Sequence, residues 1–84
     1  MYNYLLTFRS LTYGQRAQRA VQSIGISTAL MRTPKILAEN GCGYCIKIKE
    51  KDLEQALAAM RKIHISPINT YVKNEDGSYE KVMA

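Results

Sequence analysis

The order of elements along this chain predicts an α+β fold of the ferredoxin-like split βαβ type (βαββαβ): an antiparallel sheet with two helices on one face, plus a C-terminal hairpin strand. Three observations predict it. Short aromatic and aliphatic runs alternate with two stretches of helical periodicity, Tyr44 to Lys49 alternates with period two, and proline or glycine marks the breaks. The 84 residues make one domain, 1–84, with room for a two-layer core but not for enclosing a large cofactor.

Each element has a local reason. Tyr2 to Phe8 has no breaker and reads as a buried strand. Ala17, Ala20, Val21 and Ile24 recur at helical spacing; Thr12 with Gln15 fits a capping box, and Gly25 suits the position just past the helix. Ser27 to Arg32 reads as a second strand, ended by Thr33-Pro34 because proline cannot donate to a ladder. Lys35 to Gly43 is then a loop, with one helical turn around Ile36 to Glu39. From Tyr44 to Lys49, the residues Tyr44, Ile46 and Ile48 share one face and Cys45, Lys47 and Lys49 the other, a half-buried strand. Asp52 to Ile63 is the second helix, with Leu53, Ala56, Leu57, Met60 and Ile63 inward. Ile68 to Lys73 is the fourth strand, Asn74 to Gly77 has hairpin-turn chemistry, and Tyr79 to Met83 returns as a short fifth. The helices leave one sheet face open, and Cys45, Lys47 and Lys49 beside Asn69 and Tyr71 are expected on it as a partner or homodimer surface.

Composition narrows the function classes. No apolar run approaches the ~20 residues needed to cross a bilayer. Met-Tyr-Asn-Tyr lacks the basic flank and apolar stretch of a signal peptide, so we read a cytoplasmic protein with reduced cysteines. The net charge of +5 is dispersed, its densest run Lys47-Ile48-Lys49-Glu50-Lys51 is interrupted by an acid, and no aromatic-basic RNA motif appears on the third strand. Nucleic acid is therefore not the expected partner.

The remaining chemistry lies in "NGCGYC", Asn40 to Cys45, which holds both cysteines of the chain. Structural zinc needs four ligands, and two cysteines with one histidine do not supply them, so no metal is expected. A CxxC oxidoreductase motif opens a helix, whereas this one runs into a strand. Fully extended, positions 42 and 45 would stand about 10 Å apart, beyond the roughly 7 Å a disulfide allows. The two thiols are therefore expected to differ. Cys42, between Gly41 and Gly43, is the exposed loop thiol, and the flanking glycines can offer backbone N–H groups to an anion. Cys45 belongs to the strand. A nucleophilic thiol also wants positive charge, and Arg9, Arg32 and Lys35 are the candidates at the ends of the first two strands. The bland alternative, a small unreactive loop residue, stays open on this reading. His64 follows the second helix, where capping explains it better than catalysis.

The stretches "YLLTFRS", "IGIS", "MRTPKILAENGCGYCIKI" and "KDLEQAL" resemble the selenium/sulfur carrier protein-like family of small bacterial proteins, over about residues 2 to 73. The most specific part is Thr33-Pro34-Lys35 followed by Cys42-Gly43 leading into a strand. The resemblance implies a carrier rather than a stand-alone enzyme. Its cysteine, falling on Cys42, would hold sulfane sulfur or zero-valent selenium as the covalent load, with no other cofactor. It also implies a cysteine desulfurase or selenium-donor protein to load that thiol and an acceptor enzyme to unload it. Cys45 stands where that family often has a small apolar residue, so it either resolves the persulfide or, as we prefer, replaces alanine. The reading from a different class is a non-catalytic interaction or regulatory module that uses the open sheet face.

Overall fold

The computed structural model describes residues 3–38 and 43–82. Its organising element is β1 (Tyr4–Phe8), whose last four residues are all buried. A strand buried on both faces needs covering on both, and β1 has it: Leu6 and Phe8 join one apolar cluster and Leu5 another. The sheet is completed by β2 (Ala29–Arg32), β3 (Tyr44–Ile48), β4 (Asn69–Lys73) and β5 (Tyr79–Val82), in the order β2-β3-β1-β4-β5 with every neighbouring pair antiparallel. The protein is thus α+β, with a five-stranded antiparallel sheet and two helices. The bounds are mostly narrower than the sequence suggests, and the expected strand ends at Tyr2 and Met83 lie outside the described residues.

The first helix, α1 (Leu11–Gln22), is capped by Ser10, whose Oγ accepts from the Tyr13 backbone N–H at 3.3 Å. That corrects the capping box expected at Thr12, which lies inside the first turn. Ala17 and Val21 are fully buried as predicted, but Ile24 is 51% exposed, because the helix ends at Gln22 and Ile24 falls in the turn closed by Gly25 at φ 84°. Gly14 faces the sheet: a Cβ there would stand 2.9 Å from Leu30 Cδ1, so the helix approaches the β2–β3 edge closely at its N-terminal end.

The second helical stretch begins with a 3-10 turn, Glu50–Asp52, and continues as α2 (Leu53–Lys62). Ala56 and Met60 from α2 meet Ala17 and Val21 of α1, with Leu6, Phe8, Ile46 and Ile48 beneath them. The helix ends on His64 rather than on a glycine. His64 has φ 59°, its N–H bonds to Arg61 O at 3.0 Å, and the Ile65 N–H reaches back to Met60 O at 3.0 Å. The sequence reading gave this histidine a charge role at the helix end, and the structure gives its backbone the closing turn. A left-handed residue with a Cβ costs about 1–2 kcal/mol, part of which a glycine returns as greater unfolded-state freedom. His64→Gly should therefore stabilise the fold by roughly 0.5–1 kcal/mol, measured by urea unfolding.

Candidate functional site

The register brings one end of the sheet together at the start of β3. Phe8 and Arg32 lie on either side of Tyr44, so Arg9, following β1, and Arg32, ending β2, flank the residue that emerges from the cysteine loop. The Arg32 guanidinium sits over the Tyr44 ring, 5.4 Å from its centroid, a contact worth about 0.5–1 kcal/mol at an exposed position. Arg9 and Lys35 are exposed, Lys35 within the 3-10 turn Lys35–Leu37. That turn replaces the helical turn expected one residue later. The N-terminus of α1 reaches the same end, since Ser10 follows Arg9, and its first turn carries no acidic side chain to neutralise the positive helix end. The sequence reading had not included this helix end, although "FRSLTYG" places a cap directly after a strand.

Gly41 and Cys42 lie outside the described residues, and with them the expected loop tip and its N–H groups. Gly43 is described. Its carbonyl accepts from the Thr33 N–H at 3.0 Å, closing the base of the loop. It does not adopt positive φ, and a Cβ there would meet nothing, so this position does not by itself require glycine.

Cys45 is where the structure departs most from expectation. It lies on the sheet face away from the helices, as its phase predicts, yet it is 0% exposed. The open face expected around Cys45 and Tyr71 is closed there, because Leu37 folds in from the 3-10 turn and joins Leu5, Cys45 and Tyr71 in a second core, with Met31 and Tyr79 packed against it. Phase alone could not show this, since the covering residue lies in the loop. Asn69 is half-buried on the same face, bound through its backbone to Thr7.

Burial pushes the Cys45 thiol above the ordinary range; the Thr33 hydroxyl and the Lys47 charge pull the other way without offsetting it. Thr33 Oγ1 is buried and, among the described residues, finds no partner in hydrogen-bond geometry beyond this influence on the thiol. At Cys45's position on β1, Thr7 is equally buried and satisfied: its hydroxyl donates to Asn69 O at 3.2 Å and accepts from Asn69 N at 3.1 Å. The surroundings of Cys45 thus favour a protonated, enclosed thiol, which suits packing and not attack. Among the described residues no group of three or more His, Cys, Asp or Glu could hold a metal ion.

A small α+β domain with basic residues gathered at the sheet end where β3 begins is the class that fold and site define. The chain belongs to the family described as "Putative Se/S carrier protein-like", which matches residues 3–72. Neither the curated proteins nor the solved structures contain a match. No helix among the described residues is long and apolar enough to cross a membrane.

Two outcomes are expected of this site. Because the folded-state pKa of Cys45 is raised, its contribution to stability is complete below the unfolded thiol's pKa and is lost as pH rises through the folded one. Denaturant unfolding through the alkaline range should show stability falling with pH in the wild-type chain and less steeply in Cys45→Ala. Leu37→Ala should cost about 2 kcal/mol, the low end for a buried leucine near a surface, and should speed alkylation of Cys45 in a Cys42→Ser background.

Proposed function

We propose that this protein is a cytoplasmic carrier of sulfur or selenium, that the load rides on Cys42, and that partner enzymes supply the catalysis. The observation that carries the proposal is the burial of Cys45. With that thiol fully enclosed and its pKa raised, Cys42 is the cysteine left for exchange in a chain of two. The family description names the cargo, and the residue chemistry is compatible with it.

The loading step needs little apparatus. The Cys42 thiolate attacks the outer sulfur of a donor persulfide, such as that of a cysteine desulfurase. As the new S–S bond forms the donor's S–S bond breaks, and the donor leaves as a thiolate. The oxidation state of the transferred sulfur is conserved, so no separate oxidant or reductant enters. A selenium donor would load zero-valent selenium by the same displacement. Unloading is the reverse exchange onto an acceptor enzyme. An ordinary thiol is only a few per cent thiolate at neutral pH, so Arg9, Arg32, Lys35 and the positive end of α1 are assigned to favour the anion of Cys42, loaded or free. Gly41 and Gly43 are assigned to keep the thiol accessible. Cys45 is assigned to packing, in place of a small apolar residue, rather than to resolving the persulfide.

The fold is proposed to be the ferredoxin-like split βαβ with β5 added at the edge. The sequence β2-β3-β1-β4 across the sheet, antiparallel throughout, supports that reading.

Mass spectrometry after incubation with a cysteine desulfurase and cysteine, or with a selenium donor, tests the function. One added sulfur or selenium mass is expected on Cys42 in the wild-type chain and in Cys45→Ser, and none in Cys42→Ser. A load on Cys45, or no load from either donor, would count against the carrier.

A further inference from the structure

The two edges of the sheet are unlike. The strand order leaves β2 and β5 each with one side that no strand of the chain pairs. β5 carries Glu80 and Lys81, both exposed, and charged side chains on an edge deter pairing with another chain. β2 carries Ala29, Leu30 and Met31 before its single charge, Arg32. Which of its backbone groups face outward follows from the ladder. In an antiparallel pair, hydrogen-bonded and non-hydrogen-bonded positions alternate, and residues of the second kind turn their N–H and C=O to the other side. The Thr33 N–H bonds to Gly43 O at 3.0 Å, so in the register of β2 with β3 the bonded positions are Met31 and Ala29, toward Cys45 and Lys47. The Lys73 N–H to Asn3 O bond at 2.7 Å gives the same phase from the far side of β1. Leu30 and Arg32 therefore point N–H and C=O away from β3, and among the described residues no turn or loop backbone group bonds them there. Thr28 has the same phase and is held beside β3 by its Oγ1, which donates to Lys47 O at 2.8 Å.

We propose that β2 pairs antiparallel with β2 of a second copy of this chain about a two-fold axis at Leu30, joining two sheets into one. Leu30 then exchanges hydrogen bonds with Leu30 of the partner subunit, and Arg32 with Thr28 of the partner subunit. Charge and proline select this register. An axis at Arg32 would set two guanidinium side chains directly opposite each other, which is destabilising. An axis at Met31 would bring Pro34 into the ladder, where it has no N–H to give. With Leu30 on the axis, Pro34 stays outside. The side chains fit the same arrangement. Leu30, half-buried beside Gly14 of α1, meets its counterpart on the helix side, and Met31, half-buried against the second core, meets Ala29 of the partner subunit. Apolar edge surface that one chain leaves half-open is thereby covered by the other. The chains leave Arg32 at opposite ends of the paired strands, so neither copy blocks the other's basic sheet end, and the pairing holds whether or not Cys42 carries sulfur.

Light scattering across a dilution series under reducing conditions tests it, and the wild-type chain should show twice the chain mass. Ala29→Glu places a carboxylate opposite Lys47 in its own chain, which the monomer tolerates, and opposite Met31 of the partner subunit, which the pairing does not. It should raise the dissociation constant about tenfold while circular dichroism stays that of the wild type. Cross-linking then reads the register. In a Cys42→Ser/Cys45→Ala background, Leu30→Cys should form a disulfide-linked dimer under mild oxidation, because hydrogen-bonded partners stand about 5.5 Å apart at Cα, within disulfide range. Lys81→Cys, on the other edge, should not. A monomeric wild-type chain, a dimer that Ala29→Glu leaves unchanged, or cross-linking through Lys81→Cys in place of Leu30→Cys would overturn the assignment.

Discussion

The double burial of β1 is the constraint on which the rest of the structure depends. Leu6 and Phe8 point to the helices and Leu5 and Thr7 to the opposite face, and all four are 4% exposed or less. Side chains alternate along a strand, so this one segment fixes the phase of both neighbours through the ladder. On β3 it pairs Ile46 with Leu6 and Ile48 with Tyr4, and on β4 it pairs Tyr71 with Leu5. A slip of one residue in β3 would turn Ile46 and Ile48 out of the helix-side core and put Lys47 into it. Burying an unpaired ammonium there would cost far more than the strand could recover.

The same phase separates the two cysteines. Cys45 pairs with Thr7 and Met31, which commits its sulfur to the second face, and the covering residue then comes from the loop between β2 and β3. That loop has two jobs in one span. Lys35–Leu37 folds back so that Leu37 enters the second core, while the Thr33 N–H to Gly43 O bond joins the two ends of the connection between β2 and β3. Covering Cys45 and tying the end of β2 to the start of β3 are thus both done by the described parts of one connection.

How much of this was legible in the sequence varies with the range of the interaction involved. Local patterns carried the elements: the period of Tyr44 to Lys49 placed Cys45 and Ile46 on opposite faces, and Gly25 marked the end of α1 through a backbone requirement that glycine alone meets without strain. Ser10 was harder to identify, because Thr12 and Ser10 are both good caps and only the path from β1 into the helix distinguishes them. His64 gave no signal at all, since a histidine in the left-handed region is tolerated for its place in the chain and not for its type. At the candidate site, the convergence of Arg9 and Arg32 followed from correct strand ends, while the enclosure of Cys45 depended on a leucine eight positions away in a segment that reads only as loop. The sequence reading failed at long-range cover, and it failed in the direction of predicting too much open surface.

That error bears on how an 84-residue chain can hold a five-stranded sheet. Two helices cover one face, and the other, left wholly to solvent, would expose Leu5, Met31 and Tyr71 together. Among the described residues no third helix covers it. The structure instead covers it with one leucine from a 3-10 turn, one tyrosine from the edge strand β5, and side chains whose stems are apolar and whose ends are charged. Lysine suits the rim of such a patch, since its methylenes lie over neighbouring apolar surface while its ammonium stays in water. The lysines on this face therefore have a structural cause. Stem packing explains why long side chains stand at these positions, but it does not explain their sign, because glutamate has a similar though shorter stem and also tolerates the rim. The sign is balanced from nearby: Glu50 and Glu75 line the same pocket as Lys73, and exposed Glu80 directly precedes Lys81, so this edge of the sheet carries both charges, as a soluble surface requires.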